Sequence, residues 1–293
     1  MTDTDEFSFL ADNAAEAGLP WSGPPVLRRV AVEVEEGRDI SALVWGTSPP
    51  QVVLLHGGGQ NAHTFDTVAL ALDRPLVAVD LPGHGHSGWR DDHLYTPAAM
   101  AADVAAALRN LAPDARLVVG MSLGGLVALC LARRSPDLVG RLALIDITPG
   151  TNAAQAEPIL AFLAGPERFG SFEEILDRTV AFNPTRSVSS LRRGVTHNAR
   201  EFPDGSWSWR WDPSARGHSA GGFASLWSEV SELRVPLLLV RGGRSSVVSD
   251  EDTAELLQRQ PGAEAVVVPD AGHSVQGDQP VALAQVLARF LEG

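Results

Sequence analysis

One pentapeptide in this chain has the residue types and spacing of a nucleophile turn, Gly120-Met121-Ser122-Leu123-Gly124. It follows the apolar run Leu117-Val118-Val119 and opens a stretch, Ser122 to Arg134, that is apolar on nearly every face. That context predicts a serine at a strand-to-helix turn. So tight a turn crowds the backbone, and only small neighbours fit beside it. The hydroxyl is lifted above the sheet, at a helix N-terminus whose N–H groups face a developing anion. A serine held this way can attack a carbonyl carbon, provided that a base takes its proton. The same residues also suit a plainer role, in which Ser122 merely caps the helix.

The elements that would position such a serine follow from the apolar pattern. Val26 to Val34 and Ile40 to Trp45 alternate apolar and charged residues, as half-buried antiparallel strands do. Six short continuous apolar runs follow, at 52–55, 75–79, 117–119, 142–145, 236–240 and 265–268. Such runs suit strands buried on both faces of a parallel sheet. Helical stretches separate most of them: Thr96 to Leu111, with Thr96 as N-cap and Pro97 at the first position, Ser122 to Arg134, Asp250 to Gln258 and Pro280 to Leu291. The alternation predicts an α/β fold, a doubly wound and mostly parallel eight-stranded sheet with helices on both faces. Residues 149–232 interrupt it, with helices such as Ala153 to Leu163 and Phe172 to Phe182, no convincing buried strand, and Trp207, Trp209, Trp211 and Trp227. This insertion after the sixth strand is long enough to form a helical lid over the core of 26–148 and 233–293, while residues 1–25 read as a polar arm.

Composition excludes several classes. A formal charge of −13 argues against a phosphate-tracking surface or docking on anionic lipid. The single cysteine, Cys130, permits no intrachain disulfide and no thiolate-rich zinc site, and it falls inside the buried helix. Met1 to Gly18 is acidic and lacks the features of a signal peptide, and no apolar run reaches membrane-spanning length. The expectation is a soluble, cytoplasmic protein acting on a small molecule, without nucleic-acid or membrane partners. Its oligomeric state stays open.

Four motifs, each after the expected strand, resemble those of the α/β-hydrolase superfamily. They are His56-Gly57-Gly58-Gly59, Asp80-Leu81-Pro82-Gly83-His84-Gly85-His86-Ser87, the Ser122 turn, and Ala271-Gly272-His273. The resemblance runs from about Val26 to Leu291 and points to the capped esterase, C–C hydrolase and haloperoxidase-like branch. It implies Ser122 as nucleophile, His273 as general base, and an oxyanion hole from the backbone N–H groups of Gly58 and Leu123. It implies no metal and no organic cofactor. His56 would brace its loop, and His84 and His86 look structural. His63, His93, His197 and His218 have no supporting motif.

The acid departs from the family pattern. Most relatives carry it after the seventh strand, where this chain has Ser245, a neutral residue that cannot stabilise an imidazolium as a carboxylate does. Some relatives place it after the sixth strand, which matches Asp146; Asp250 or Asp252 would supply it by local slippage. The alternating Trp207, Trp209 and Trp211 would form an aromatic wall over the nucleophile, or else pin the insertion to the core. Arg200 and Arg210 suit surface ion pairs, or a substrate carboxylate. The resemblance thus implies a serine hydrolase of a small to medium, apolar carboxylic ester or lactone. C–C bond hydrolysis and cofactor-free perhydrolysis use the same triad. Outside enzymes, a ligand sensor on the same fold is the alternative.

Overall fold

The computed structural model describes residues 5–218 and 222–293; the first four residues of the expected arm and residues 219–221 of the expected lid lie outside them. The strands are β1 (Leu27–Glu35), β2 (Arg38–Trp45), β3 (Val52–Leu55), β4 (Leu76–Val79), β5 (Leu117–Met121), β6 (Leu142–Ile145), β7 (Ala199–Glu201), β8 (Trp207–Trp209), β9 (Leu237–Gly242) and β10 (Glu264–Val268). The helices are α1 (Leu10–Glu16), α2 (Asp66–Leu72), α3 (Pro97–Leu111), α4 (Leu123–Arg134), α5 (Glu157–Leu163), α6 (Phe172–Phe182), α7 (Val188–Asn198), α8 (Trp227–Glu232), α9 (Asp250–Arg259), α10 (Val275–Asp278) and α11 (Pro280–Glu292).

Eight strands form one sheet in the order β1-β2-β4-β3-β5-β6-β9-β10. The β1–β2 and β2–β4 pairs are antiparallel, and all later pairs are parallel. The middle strands are apolar on both faces because helices cover both, giving two apolar clusters, one on each side of the sheet. Strand β3 has β4 on one side and β5 on the other. The connections leaving β3 and β5 therefore diverge, and open α/β sheets bind ligands in the crevice at such a point. His56–Gly59 leaves β3 there, and Ser122 leaves β5.

The glycines of the turn are sterically required. A Cβ on Gly120 would lie 2.3 Å from the Gly124 carbonyl oxygen, and one on Gly124 would lie 2.2 Å from that of Leu55. Backbone cannot yield as a flexible side chain does. Gly124→Ala is expected to cost about 1–3 kcal/mol in urea unfolding, as overpacked cores do.

Several expectations are corrected. Strand β2 is buried almost throughout rather than half-buried, since it lies between β1 and β4. The 265–268 run is not buried on both faces: β10 is the sheet edge, and Val267 is 54% exposed. The helix expected over 153–163 starts at Glu157, with Pro158 in its first turn. The insertion does contain a buried strand, β8, paired antiparallel with β7. Its alternation was misleading because Ser208, between the two tryptophans, is buried as well.

The inserted segment has its own apolar cluster, with Phe169, Ile175, Leu191, Trp207, Trp209 and Trp211 among its members. Polar contacts fasten it to the core. Asp212 accepts from the Tyr95 hydroxyl at 2.6 Å, and Asn198 donates to the Gly59 carbonyl at 2.6 Å. The expected arm contains α1, whose Leu10 and Ala14 are buried. Arg193 of α7 donates to Asn13 at 2.7 Å and pairs with Glu16, so α1 also touches the insertion.

Candidate active site

Ser122 is held at φ 51° and ψ −120°, a conformation that a side-chain-bearing residue adopts only when its surroundings impose it. Its side chain makes no cap hydrogen bond with α4, which removes the plainer role for this residue. Helix α4 begins at Leu123, whose N–H is among the first-turn donors with no partner inside the helix.

Asp146 follows β6, is fully buried, and also has positive φ, at 51°. Asp is one of the few residues enriched in that region. Its Oδ2 lies 2.9 Å from His273 Nδ1, and its Oδ1 accepts the Gly242 N–H at 3.0 Å. The Ser245 hydroxyl donates to the same Oδ2. Ser245, the neutral residue that follows β9, is thus hydrogen-bonded to Asp146. Asp250 does not share this arrangement. Its side chain is 92% exposed and pairs with Arg241 at 2.7 Å. Asp252 closes a capping box with Ser249 and accepts from Gln155.

Ser122, Leu123, Gly58 and His273 line one cavity of about 410 Å³ between the core and the inserted segment. Met121, Leu126, Ile147, Phe162, Leu163 and Trp209 are among its apolar walls, and Asn61, Arg186 and Asn198 among its polar ones. Of the three tryptophans, Trp209 alone lines this cavity. Trp207 packs edge-on against Phe172, and Arg216 lies over the Trp211 ring. Both contacts lie within the inserted segment, whose own apolar cluster includes these two rings. Arg200 and Arg210 make no ion pair among the described residues. Arg200 donates to Ser208 and stacks over Trp89 and Phe202, and Arg210 donates to the Ala199 carbonyl.

The loop beside the serine is braced as expected. His56 is fully buried, accepts the Leu81 N–H at 2.9 Å and contacts the Gly57 carbonyl at 2.8 Å. Burial, reinforced by nearby His84, pushes its pKa down to about 3, so it stays neutral. Asp80 is buried against Arg29. Burial alone would raise its pKa, but Arg29, His56 and the N–H groups of Ala62 and His86 hold it below the ordinary value.

A second cluster in the cavity wall was missed in the sequence. His63, Asp66 and His197 each offer a ligand atom, all within 4.8 Å of one another. Asp66 begins α2, His63 lies three residues earlier in the 3-10 turn that leads into it, and His197 comes from α7. The His63 and His197 rings stack at 3.7 Å. Burial opposes charge on His63, but Asp66 and Glu6 outweigh it and hold its pKa at about 9. Burial, and then His63 itself, push His197 down to about 3. The spacing His63-x-x-Asp66 was the only local signal, and its partner is remote in sequence.

Sheet, turn, buried acid and histidine together define an α/β hydrolase. The chain belongs to the alpha/beta hydrolase family, which it matches over residues 52–286. It is 49% identical to the esterase Rv0045c of Mycobacterium tuberculosis, over 100% of this chain and 97% of that protein. Two structures of that esterase superpose with TM-scores of 0.88 and 0.89 over 100% of both chains; one comes from work on its inhibition by transition metals. The 3-hydroxybutyrate-oligomer hydrolase of Cupriavidus necator is 31% identical over 85% of this chain and 91% of its own. The structure of an E-2-(acetamidomethylene)succinate hydrolase is 26% identical, with a TM-score of 0.81 over 91% of this chain and 100% of that one. No helix among the described residues is long and apolar enough to cross a membrane.

Proposed function

We propose that this chain is a carboxylic-ester hydrolase working through an acyl-enzyme on Ser122. The observation that carries the proposal is the 2.9 Å contact between His273 Nδ1 and buried Asp146, in the cavity where Ser122 holds its strained turn. With Nδ1 committed to Asp146, His273 Nε2 is the nitrogen left to take the serine proton. Ser122 Oγ bonds to the ester carbonyl carbon, and the oxyanion is received by the Leu123 and Gly58 N–H groups. Collapse expels the alcohol, which takes the proton from His273. Water, deprotonated by His273, then releases the acid and restores Ser122. Asp146 keeps the ring oriented and stabilises the imidazolium.

A cavity of this volume with apolar walls suits a small to medium, apolar ester or lactone. The inserted segment acts as its lid. The likeness to a mycobacterial esterase over the full chain supports ester chemistry over C–C hydrolysis and perhydrolysis on the same triad, and over a ligand sensor. We infer as well that transition-metal ions inhibit the activity, as they do for that relative.

Hydrolysis of p-nitrophenyl acetate and butyrate, measured beside a γ-lactone and a dienoic diketone, tests the assignment. Turnover of the esters is the expected outcome. Turnover of the diketone alone would move the chain to C–C hydrolysis. Ser245→Ala removes one donor to Asp146, and is expected to lower kcat about tenfold with KM unchanged, since 1.4 kcal/mol is a factor of ten. Steady-state kinetics on the butyrate ester check this.

A further inference from the structure

We propose that His63, Asp66 and His197 form an inhibitory binding site for one divalent transition-metal ion in the wall of the substrate cavity. The inference deepens the metal inhibition proposed above by assigning residues to it. Two imidazoles and a carboxylate are the donor set of zinc, copper and nickel rather than of magnesium or calcium. The donors are nearly assembled: His63 Nδ1 lies 2.8 Å from Asp66 Oδ2, and His197 completes a group spanning no more than 4.8 Å.

Three further observations point to a ligand. Asp66 is only 5% exposed, yet its second oxygen, Oδ1, is buried without a hydrogen-bond partner. Such an oxygen is costly unless something pairs with it. The outer ring nitrogen of His63, Nε2, lies 3.0 Å from Glu6. A carboxylate behind a histidine in this way orients the ring and raises its basicity toward a metal on the other nitrogen. Finally, all three side chains line the cavity that holds Ser122 and His273, so an ion has a route in.

The ion enters between His63 Nδ1 and Asp66, replacing their direct 2.8 Å contact, while His63 Nε2 keeps its contact with Glu6. Arg29 remains matched by Glu6 and Asp80. The His197 ring, half-buried on α7, must turn out of its stack to present a nitrogen in plane. The bound ion then ties α7 of the inserted segment to the start of α2 in the core, and inhibition follows without contact at His273.

The test is Zn²⁺ titration of the full chain by calorimetry and by ester turnover, each variant scaled to its own metal-free rate, with Mg²⁺ as control. Wild type is expected to bind one Zn²⁺ and lose activity in step. His197→Phe, which keeps a ring in the stack, is expected to weaken both effects at least tenfold, the lower range for loss of a metal-site partner; Asp66→Asn is expected to do the same. Equal inhibition of wild type and His197→Phe would overturn the site while leaving metal inhibition standing. No Zn²⁺ binding by wild type would overturn both. Anomalous diffraction from a Zn²⁺-soaked wild-type crystal needs no variant: a peak among the three side chains supports the site, and a peak at His273 alone refutes it.

Discussion

Ser122→Ala is expected to lower kcat for p-nitrophenyl butyrate by roughly 10⁶-fold, the scale seen when a serine nucleophile acting with a histidine is removed. The fold should survive, because the turn is shaped by Gly120 and Gly124 pressed against backbone. Circular dichroism and thermal unfolding close to wild type would show that the loss is chemical. The argument rests on geometry. A serine at φ 51° that makes no cap bond is held by its surroundings for another purpose, at the mouth of a crevice opening into an apolar cavity. A Ser122→Ala variant with a substantial fraction of wild-type turnover would mean that ester cleavage happens elsewhere.

The second large effect separates the two acids. Asp146→Asn is expected to lower kcat by roughly 10⁴-fold, as the same change does in another serine triad. The amide offers N–H toward His273 Nδ1, so that nitrogen becomes the acceptor and Nε2 carries the proton. A protonated Nε2 cannot take the serine proton. Asp250→Asn is expected to leave kcat near the wild-type value, because Asp250 faces solvent and Arg241 rather than the histidine. Kinetics of the two variants at one pH decide the matter. A damaging Asp250→Asn beside a mild Asp146→Asn would reverse the assignment.

The fold was legible because close packing and burial leave marks in residue type. Gly120 and Gly124 are glycines since nothing larger fits, and the middle strands are unbroken apolar runs since both faces are covered. The same logic failed at the margins. An edge strand such as β10 can be apolar for pairing alone, and β8 buries a serine between two tryptophans. Within the site, Ser122 and His273 carry local motifs, whereas Asp146 is suggested by the neutral residue at position 245 together with its place after the sixth strand, where some members of the superfamily carry the acid. That Ser245 would bond to it was not visible, because the two residues come from different strand ends. Oxyanion donors are backbone groups and have no residue signature. The contacts of α1 with α7, and the His63, Asp66 and His197 cluster, join residues distant in sequence through polar side chains, which apolar periodicity does not report.

The most direct test of a Ser122 acyl-enzyme is stoichiometric labelling of the full chain with a fluorophosphonate, followed by intact-mass and peptide mass spectrometry alongside residual ester turnover. One adduct per chain is expected, on the peptide containing Ser122, with activity falling in proportion and the Ser122→Ala variant unlabelled. An adduct on another residue, or undiminished ester hydrolysis by fully labelled protein, would contradict it.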